Sequence, residues 1–305
     1  LLGGNMTKKI AVAVLLSAAS ALLFAQPRQP ASEKSLVLTH VTVIDCTGAA
    51  PQADMTVVVA GNRISAVGKT GSIKVPAKSQ VVAAKGKFLI PGLWDMHVHL
   101  SWTKASAVPA LVANGVTGVR DMGGILSEID AWRAEVAAGA LIGPRIIRAG
   151  PTVNGKEFAF HQVAVGTEAE ARAVVRVLNK VGVDFIKLHR ALPREAYFGL
   201  AGEAKKLGIP FAGHIPQSVT PAEAADAGQA SFEHTETLFE GTFAAQVLQE
   251  KLVEAIARFK QDDAPSLFAR FAKTGTSFTP TLVAFRFGTE IRDLASDPRD
   301  KYISN

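Results

Sequence analysis

The sequence predicts an α/β fold. Over residues 91–305 it predicts a (β/α)8 TIM-type barrel lacking its eighth strand, preceded over residues 36–90 by a small N-terminal β-sandwich portion. Three observations predict this. From Phe88 onward strand-like and helix-like patterns alternate seven times, which argues for parallel strands joined by crossover helices. The spacing is roughly 30 residues per unit, the size such units take in this fold. Before Phe88 the rhythm differs: β-branched runs separated by turn residues, without a helical period. A doubly wound open sheet is the alternative, and no Gly-rich phosphate-binding turn follows the first parallel strand to support it.

Taken in order, Met6-Thr-Lys-Lys and the apolar run Ile10–Ala25 read as a signal peptide over residues 1–25. The run falls short of the ~20 residues of a comfortable membrane span, so export to the periplasm or medium is expected, without a stable membrane anchor. A polar linker covers residues 26–35. Leu36–Ile44, Met55–Ala60, Arg63–Val67 and Gln80–Ala83 then supply strands, punctuated at Gly61-Asn62 and Gly71-Ser72. In the barrel, strands are expected to end near His99, Arg120–Asp121, Arg148, His189, His214, Glu236 and Leu282. Helical patterns lie between most of them, over Val108–Asn114, Leu126–Ala138, Glu168–Asn179, Arg194–Leu207, Pro221–Ala227 and Phe243–Phe271. Only residues 282–305 follow, reading as loop and helix, so an eighth strand is expected beyond Asn305 and the 305 residues are expected to be a truncated, inactive form of a longer enzyme.

Composition removes several classes. At 305 residues and 48% hydrophobic content the chain can bury a full core, which excludes a disordered protein. The single cysteine, Cys46, excludes internal disulfides and cysteine-based zinc sites. The formal charge of +6 includes Lys8 and Lys9 of the leader, and the remaining excess is diffuse, so nucleic acid is not an expected partner. Homo-oligomerisation is left open.

The histidines carry the chemistry. His97 and His99, His214 and His234 sit where the first, fifth and sixth barrel strands should end, on the face where such barrels build their active sites. Two residues apart on a strand, His97 and His99 point the same way and can converge on one ion; imidazole suits zinc and similar metals. Lys187 ends the fourth strand. It could lead its charge to water, form a Schiff base with a carbonyl, or lose its proton beside metal cations and capture carbon dioxide as a bridging carbamate. His161 and His189 are candidate substrate contacts, His189 equally readable as a loop histidine held by its own hydrogen bond. Arg120 and Asp121 are expected to pair with each other. By alternation Glu233 is expected to point away from the barrel interior.

The motifs Pro91-Gly-Leu-Trp-Asp-Met-His-Val-His99, Gly115–Gly124, Phe185-Ile-Lys187, Ala212-Gly-His214 and Ser231-Phe-Glu-His234 together resemble the amidohydrolase superfamily, and most its imidazolonepropionase-like and metal-dependent dipeptidase-like branch. The resemblance covers roughly residues 36–285. It implies two divalent cations, zinc first among candidates. His97 and His99 would bind the more buried one, His214 and His234 the second, with carboxylated Lys187 bridging both. It implies hydrolysis of C–N amide bonds in a dipeptide, N-acyl amino acid or cyclic amide. It also implies an eighth-strand aspartate as proton shuttle; neither Asp95 nor Asp121 matches that position, so no catalytic residue is assigned. A mononuclear hydrolase or deaminase, and a non-catalytic exported metal-binding barrel, are the alternatives. Ala212-Gly-His-Ile-Pro216 departs from the fifth strand of the dipeptidase-like members, which leaves the substrate open.

Overall fold

The computed structural model describes residues 34–155, 161–235 and 264–284. The leader, most of the linker, the first part of the expected 243–271 helix and residues 285–305 lie outside the described residues. The chain divides into two units, Leu1–Pro91 and Gly92–Asn305. Among the described residues no helix is long and apolar enough to cross a membrane.

In the first unit, β1 (Leu36–Val43), β2 (Gln52–Ala60), β3 (Arg63–Lys69), β4 (Gln80–Ala83) and β5 (Phe88–Leu89) form one sheet. Its order is β3-β2-β1-β4, with β5 also on β1. The first three strands pair antiparallel, whereas β4 and β5 run parallel to β1. Val41, Met55, Val57 and Ala84 form its buried core.

The second unit is a succession of βα units. β6 (Leu93–Val98) leads to α1 (Leu100–Ala113), β7 (Val116–Asp121) to α2 (Leu126–Ala137), and β8 (Arg145–Arg148) continues through β9 (Thr152–Asn154) and β10 (Gln162–Ala164) to α3 (Glu168–Val181). Then come β11 (Ile186–Leu188), α4 (Arg194–Leu207), β12 (Phe211–Gly213), α5 (Pro221–Asp226), β13 (Ser231–Glu233), α6 (Ala264–Thr274) and β14 (Ser277–Thr279). Every pairing is parallel, in two ladders: β6-β7-β8 and β10-β9-β11-β12-β13-β14. The ladders meet where Asp184 N–H donates to the Arg148 carbonyl (2.9 Å) and the Asp184 carboxylate accepts from Arg148 N–H (2.9 Å). β6, β7 and β8, and then β11, β12, β13 and β14, follow one another in chain order, with β9 and β10 added beside β11. Among the described residues no ladder joins β14 to β6, so the expected barrel is met as parallel βα units and not as a closed ring.

Local chemistry explains where the helices begin and end. Thr167 and Glu170 form a reciprocal capping box at the start of α3, and Thr220 and Glu223 do the same for α5. α3 buries Ala171, Val175 and Leu178, a spacing that puts one apolar face on the sheet. α4 answers with Ala196, Leu200 and Ala204, all inaccessible to solvent. Each leucine-sized side chain so buried contributes roughly 1.5–3 kcal/mol.

One helix differs from expectation. α1 begins directly after His99 instead of at Val108, and its backbone breaks at Lys104 (φ 63°). His99 offers no side-chain cap; the carboxylate of Asp121 on the neighbouring β7 accepts from Leu100 N–H at 2.8 Å instead. A cap supplied from another strand is invisible to local sequence patterns.

Candidate metal centre

The carboxyl ends of the strands bring the chemistry together. His97 is the penultimate residue of β6 and Lys187 the middle residue of β11. His99, His189, His214 and His234 each follow immediately on the last residue of β6, β11, β12 and β13. All six line one cavity of about 650 Å³ with Trp102 and His161. That volume lies within the ~300–1,000 Å³ of small-molecule sites.

The imidazoles form a chain. Ring centroids are 5.3 Å apart for His99 and His97, 4.4 Å for His97 and His234, 4.6 Å for His234 and His214, and 4.3 Å for His214 and His189. Trp102, on the first turn of α1, stacks on His99 at 4.1 Å and 18° and meets His161 edge-on at 5.5 Å. Sequence reading missed this tryptophan, although a bulky aromatic three residues beyond a strand-end histidine, at a helix start, falls on the same face.

Hydrogen bonds fix how three of the rings stand. His99 Nδ1 lies 2.8 Å from the Gly123 carbonyl; a carbonyl only accepts, so Nδ1 carries the proton and Nε2 keeps its lone pair. His97 Nδ1 lies 2.8 Å from the Glu233 carboxylate, and His234 Nδ1 lies 2.8 Å from Thr281 Oγ1. This is how metal-binding histidines are commonly oriented, with the distal nitrogen held by the protein. His97 Nε2 and His214 Nδ1 are buried with no hydrogen-bond partner. Each such atom costs roughly 1–3 kcal/mol, which coordination of a cation would offset.

Electrostatics favour the ligating form. Burial, reinforced by the Lys187 charge, pushes the His99 imidazole down to about 4. His189 is likewise lowered to about 4, by burial and then by Lys187. His234 falls to about 3 through burial, then the nearby His97 and Lys187 charges. His97 is lowered, and His214 lies well below its ordinary value, in both cases chiefly by burial. All are therefore neutral near pH 7, as metal binding requires. The Lys187 side chain, 1% exposed, is a source of positive charge common to all five.

The donor set, the buried unbonded nitrogens and the neutral imidazoles fit divalent cations. Among the described residues no three histidine, cysteine, aspartate or glutamate side chains have donor atoms already converged on one point. The rings stand edge to face or tilted against each other.

Two expectations are corrected. Glu233 does not point outward: it is fully buried in the interior, bonded to His97 and to Arg120 Nη2 at 2.6 Å. Alternation fails because β13 ends at Glu233 and His234 turns into the left-handed region (φ 70°), placing successive side chains on the same side. Arg120 and Asp121 do not pair. Arg120 reaches across to Glu233, Ser231 and Thr279, whereas Asp121 accepts from Leu100 N–H and Gly123 N–H. His40 lies in the first unit, paired with Asp54 on the surface.

No protein-family model and no curated protein matches this chain. Solved structures do. A protein assigned as a prolidase, from Bifidobacterium longum, is similar at 28% identity over 68% of this chain and 57% of its own, with a TM-score of 0.58. A Xaa-Pro dipeptidase solved with methionine in its active site is similar at 21% identity over 88% of this chain and 72% of its own, with a TM-score of 0.63. Bottromycin amidohydrolase is similar at 24% identity over 79% of this chain and 51% of its own, with a TM-score of 0.59. The chain therefore spans little more than half the length of the first and third. In fold as in motif, this chain resembles the amidohydrolase superfamily.

Proposed function

We propose that the chain is a metal-dependent amidohydrolase that cleaves a C–N amide bond in a small substrate: a dipeptide, an N-acyl amino acid or a cyclic amide. The observation that carries this reading is the convergence of His97, His99, His214 and His234 with buried Lys187 at the carboxyl ends of parallel strands, with His97 Nε2 and His214 Nδ1 left unbonded. Two divalent cations, zinc foremost, would be held there, and when bound they polarise a scissile carbonyl and acidify water. His97 and His99 hold one, His214 and His234 the other. Lys187 would join them as a carbamate: its ammonium first gives up one proton, and the neutral amine then forms an N–C bond to carbon dioxide and releases a second, so that the side chain would change from a cation to an anion able to ligate metal. Trp102 supplies an apolar wall for the substrate, and His161 and His189 stand at its polar edge. The leader directs the chain to the periplasm or medium.

The reading is tested by metal analysis of the purified protein. Wild type is expected to retain about two equivalents and Lys187→Ala about one, with short carboxylic acids partly restoring the second. Lys187→Ala with unchanged loading would refute the carbamate, and wild type holding no divalent ion would refute the metal centre. A panel of dipeptides and N-acyl amino acids, run on the product of the complete coding sequence, separates an amidohydrolase from a barrel that only binds metal.

A further inference from the structure

The interior of the second unit holds a buried ionic network below the cavity. Glu233 is inaccessible to solvent, and both its oxygens are engaged. Oε2 faces His97 Nδ1 at 2.8 Å; Oε1 accepts from Arg120 Nη2 at 2.6 Å and from the Ser231 hydroxyl. Arg120 is anchored in turn. Its Nε donates to the Met96 carbonyl at 2.8 Å, its Nη2 approaches Thr279 Oγ1 at 3.2 Å, and its guanidinium lies 5.8 Å from the Phe185 ring centre. One carboxylate thus meets β6, β7 and its own β13, with β14 reached through Arg120.

We infer that Glu233 is a positioning residue: by accepting the Nδ1 proton of His97 and being locked there by Arg120, it fixes the tautomer and rotation that present His97 Nε2 to a metal. This rests on the metal-centre reading proposed above. The logic is one of donors and acceptors. Arginine has only donors, so Glu233 Oε1 must accept on that side. A carboxylate has no proton to give, so Oε2 must accept on the other, and His97 carries its proton on Nδ1. The lone pair is left on Nε2, the buried nitrogen without a partner. Both carboxylate oxygens are taken up by His97, Arg120 and Ser231, which suits Glu233 to orienting a ligand and not to being one itself.

The isosteric Glu233→Gln tests this sharply. Arg120 can only donate, so the new amide turns its oxygen to Arg120 and its NH2 to His97. His97 Nδ1 must then accept, the proton moves to Nε2, and the ligating lone pair is lost. Two readouts are taken after urea denaturation has established that the variant folds. Nitrogen NMR of the metal-free protein reports the His97 tautomer directly, expected Nδ1–H in wild type and Nε2–H in Glu233→Gln. Titration with Co(II) is expected to show affinity weaker by about 10- to 100-fold at one site, with an altered visible spectrum. Glu233→Asp, which keeps the charge, is expected to retain the wild-type tautomer.

An Nε2–H tautomer in metal-free wild type would overturn the inference, even if Glu233→Gln failed to fold. So would Glu233→Gln with the wild-type tautomer and Co(II) affinity within about threefold. If wild type bound no Co(II), the metal-centre reading would fail, and the tautomer result would still decide the role of Glu233 towards His97.

Discussion

Gly213 sits between Lys187 and His214, and its replacement by alanine gives a prediction whose size can be worked from the structure. It ends β12 and pairs with Leu188 of β11, with φ at +134°, outside the region open to L side chains at low cost. A Cβ built there would stand 2.3 Å from the Leu188 carbonyl oxygen, 2.7 Å from the Leu188 nitrogen and 3.0 Å from Lys187 Cδ. Two of these three atoms are backbone and cannot swing away. Restoring ordinary contact requires the strands to part by about 1 Å. That stretches the His214 N–H bond to the Leu188 carbonyl, already 3.2 Å. Strained backbone costs ~1–3 kcal/mol and overpacking a further ~1–3, so Gly213→Ala is expected to destabilise by about 4 kcal/mol. In urea, with a slope of about 3 kcal/mol per molar, the midpoint should fall by more than about 1 M. Gly139→Ala is the control, since Gly139 also has positive φ (71°) but has no atom within 4 Å of its Cβ position. That variant isolates the dihedral cost at ~1–2 kcal/mol. If Gly213→Ala lost no more stability than Gly139→Ala, the close approach of β12 to β11 would be refuted.

Two further outcomes follow from buried polar groups. Tyr197 and Gln229 are both inaccessible to solvent, and the tyrosine hydroxyl donates to Gln229 Oε1 at 3.0 Å while Gln229 Nε2 donates to the Gly213 carbonyl at 3.0 Å. Tyr197→Phe strands the amide oxygen and should cost about 1–3 kcal/mol in urea denaturation; a loss below about 0.5 kcal/mol would mean the oxygen has another partner. Burial pushes the Asp121 carboxyl up to about 6, against the pull of two backbone N–H donors. The folded state then binds more protons than the unfolded one between about pH 4 and 6, so this group's contribution is present below pH 4 and lost as pH rises to 6. The change is about 3 kcal/mol. The stability gap between wild type and Asp121→Asn should shift by that order over this window, and a gap constant with pH would show that Asp121 titrates normally.

The parts of this architecture legible in the sequence are those written in local chemistry. α4 runs over Arg194–Leu207 as expected, between a proline and a left-handed glycine (Gly208, φ 68°), and α3 is delimited by a capping box and Gly182 (φ 79°). The strand-end histidines were legible because parallel βα units place strand termini on one face. Contacts between distant segments were not. The Asp121 cap on α1 spans two strands, and Glu233 finds His97 across the interior from a strand far along the chain. The inward turn of Glu233 was hidden for a further reason: alternation describes a strand and says nothing of the residue after it.

That last residue links geometry to chemistry. His234 has φ 70° and Thr281 φ 48°, and Thr281 is β-branched, for which positive φ is a genuine outlier. Each strained position costs of the order of 1–3 kcal/mol. The two strained residues are bonded to each other, Thr281 Oγ1 to His234 Nδ1, and both line the cavity. They sit on the same rim, since His234 N–H donates to the Thr279 carbonyl at the end of β14. A relaxed extended conformation at His234 would restore alternation and send either its ring or the Glu233 carboxylate outward. Only the left-handed turn lets one short strand deliver both Glu233 beneath His97 and an imidazole beside His97 and His214. Of the non-glycine residues with positive φ among the described residues, His234 and Thr281 are the two that line the cavity, and at His234 the proposed metal centre needs two consecutive side chains on one face; that coincidence joins the fold to the proposed function.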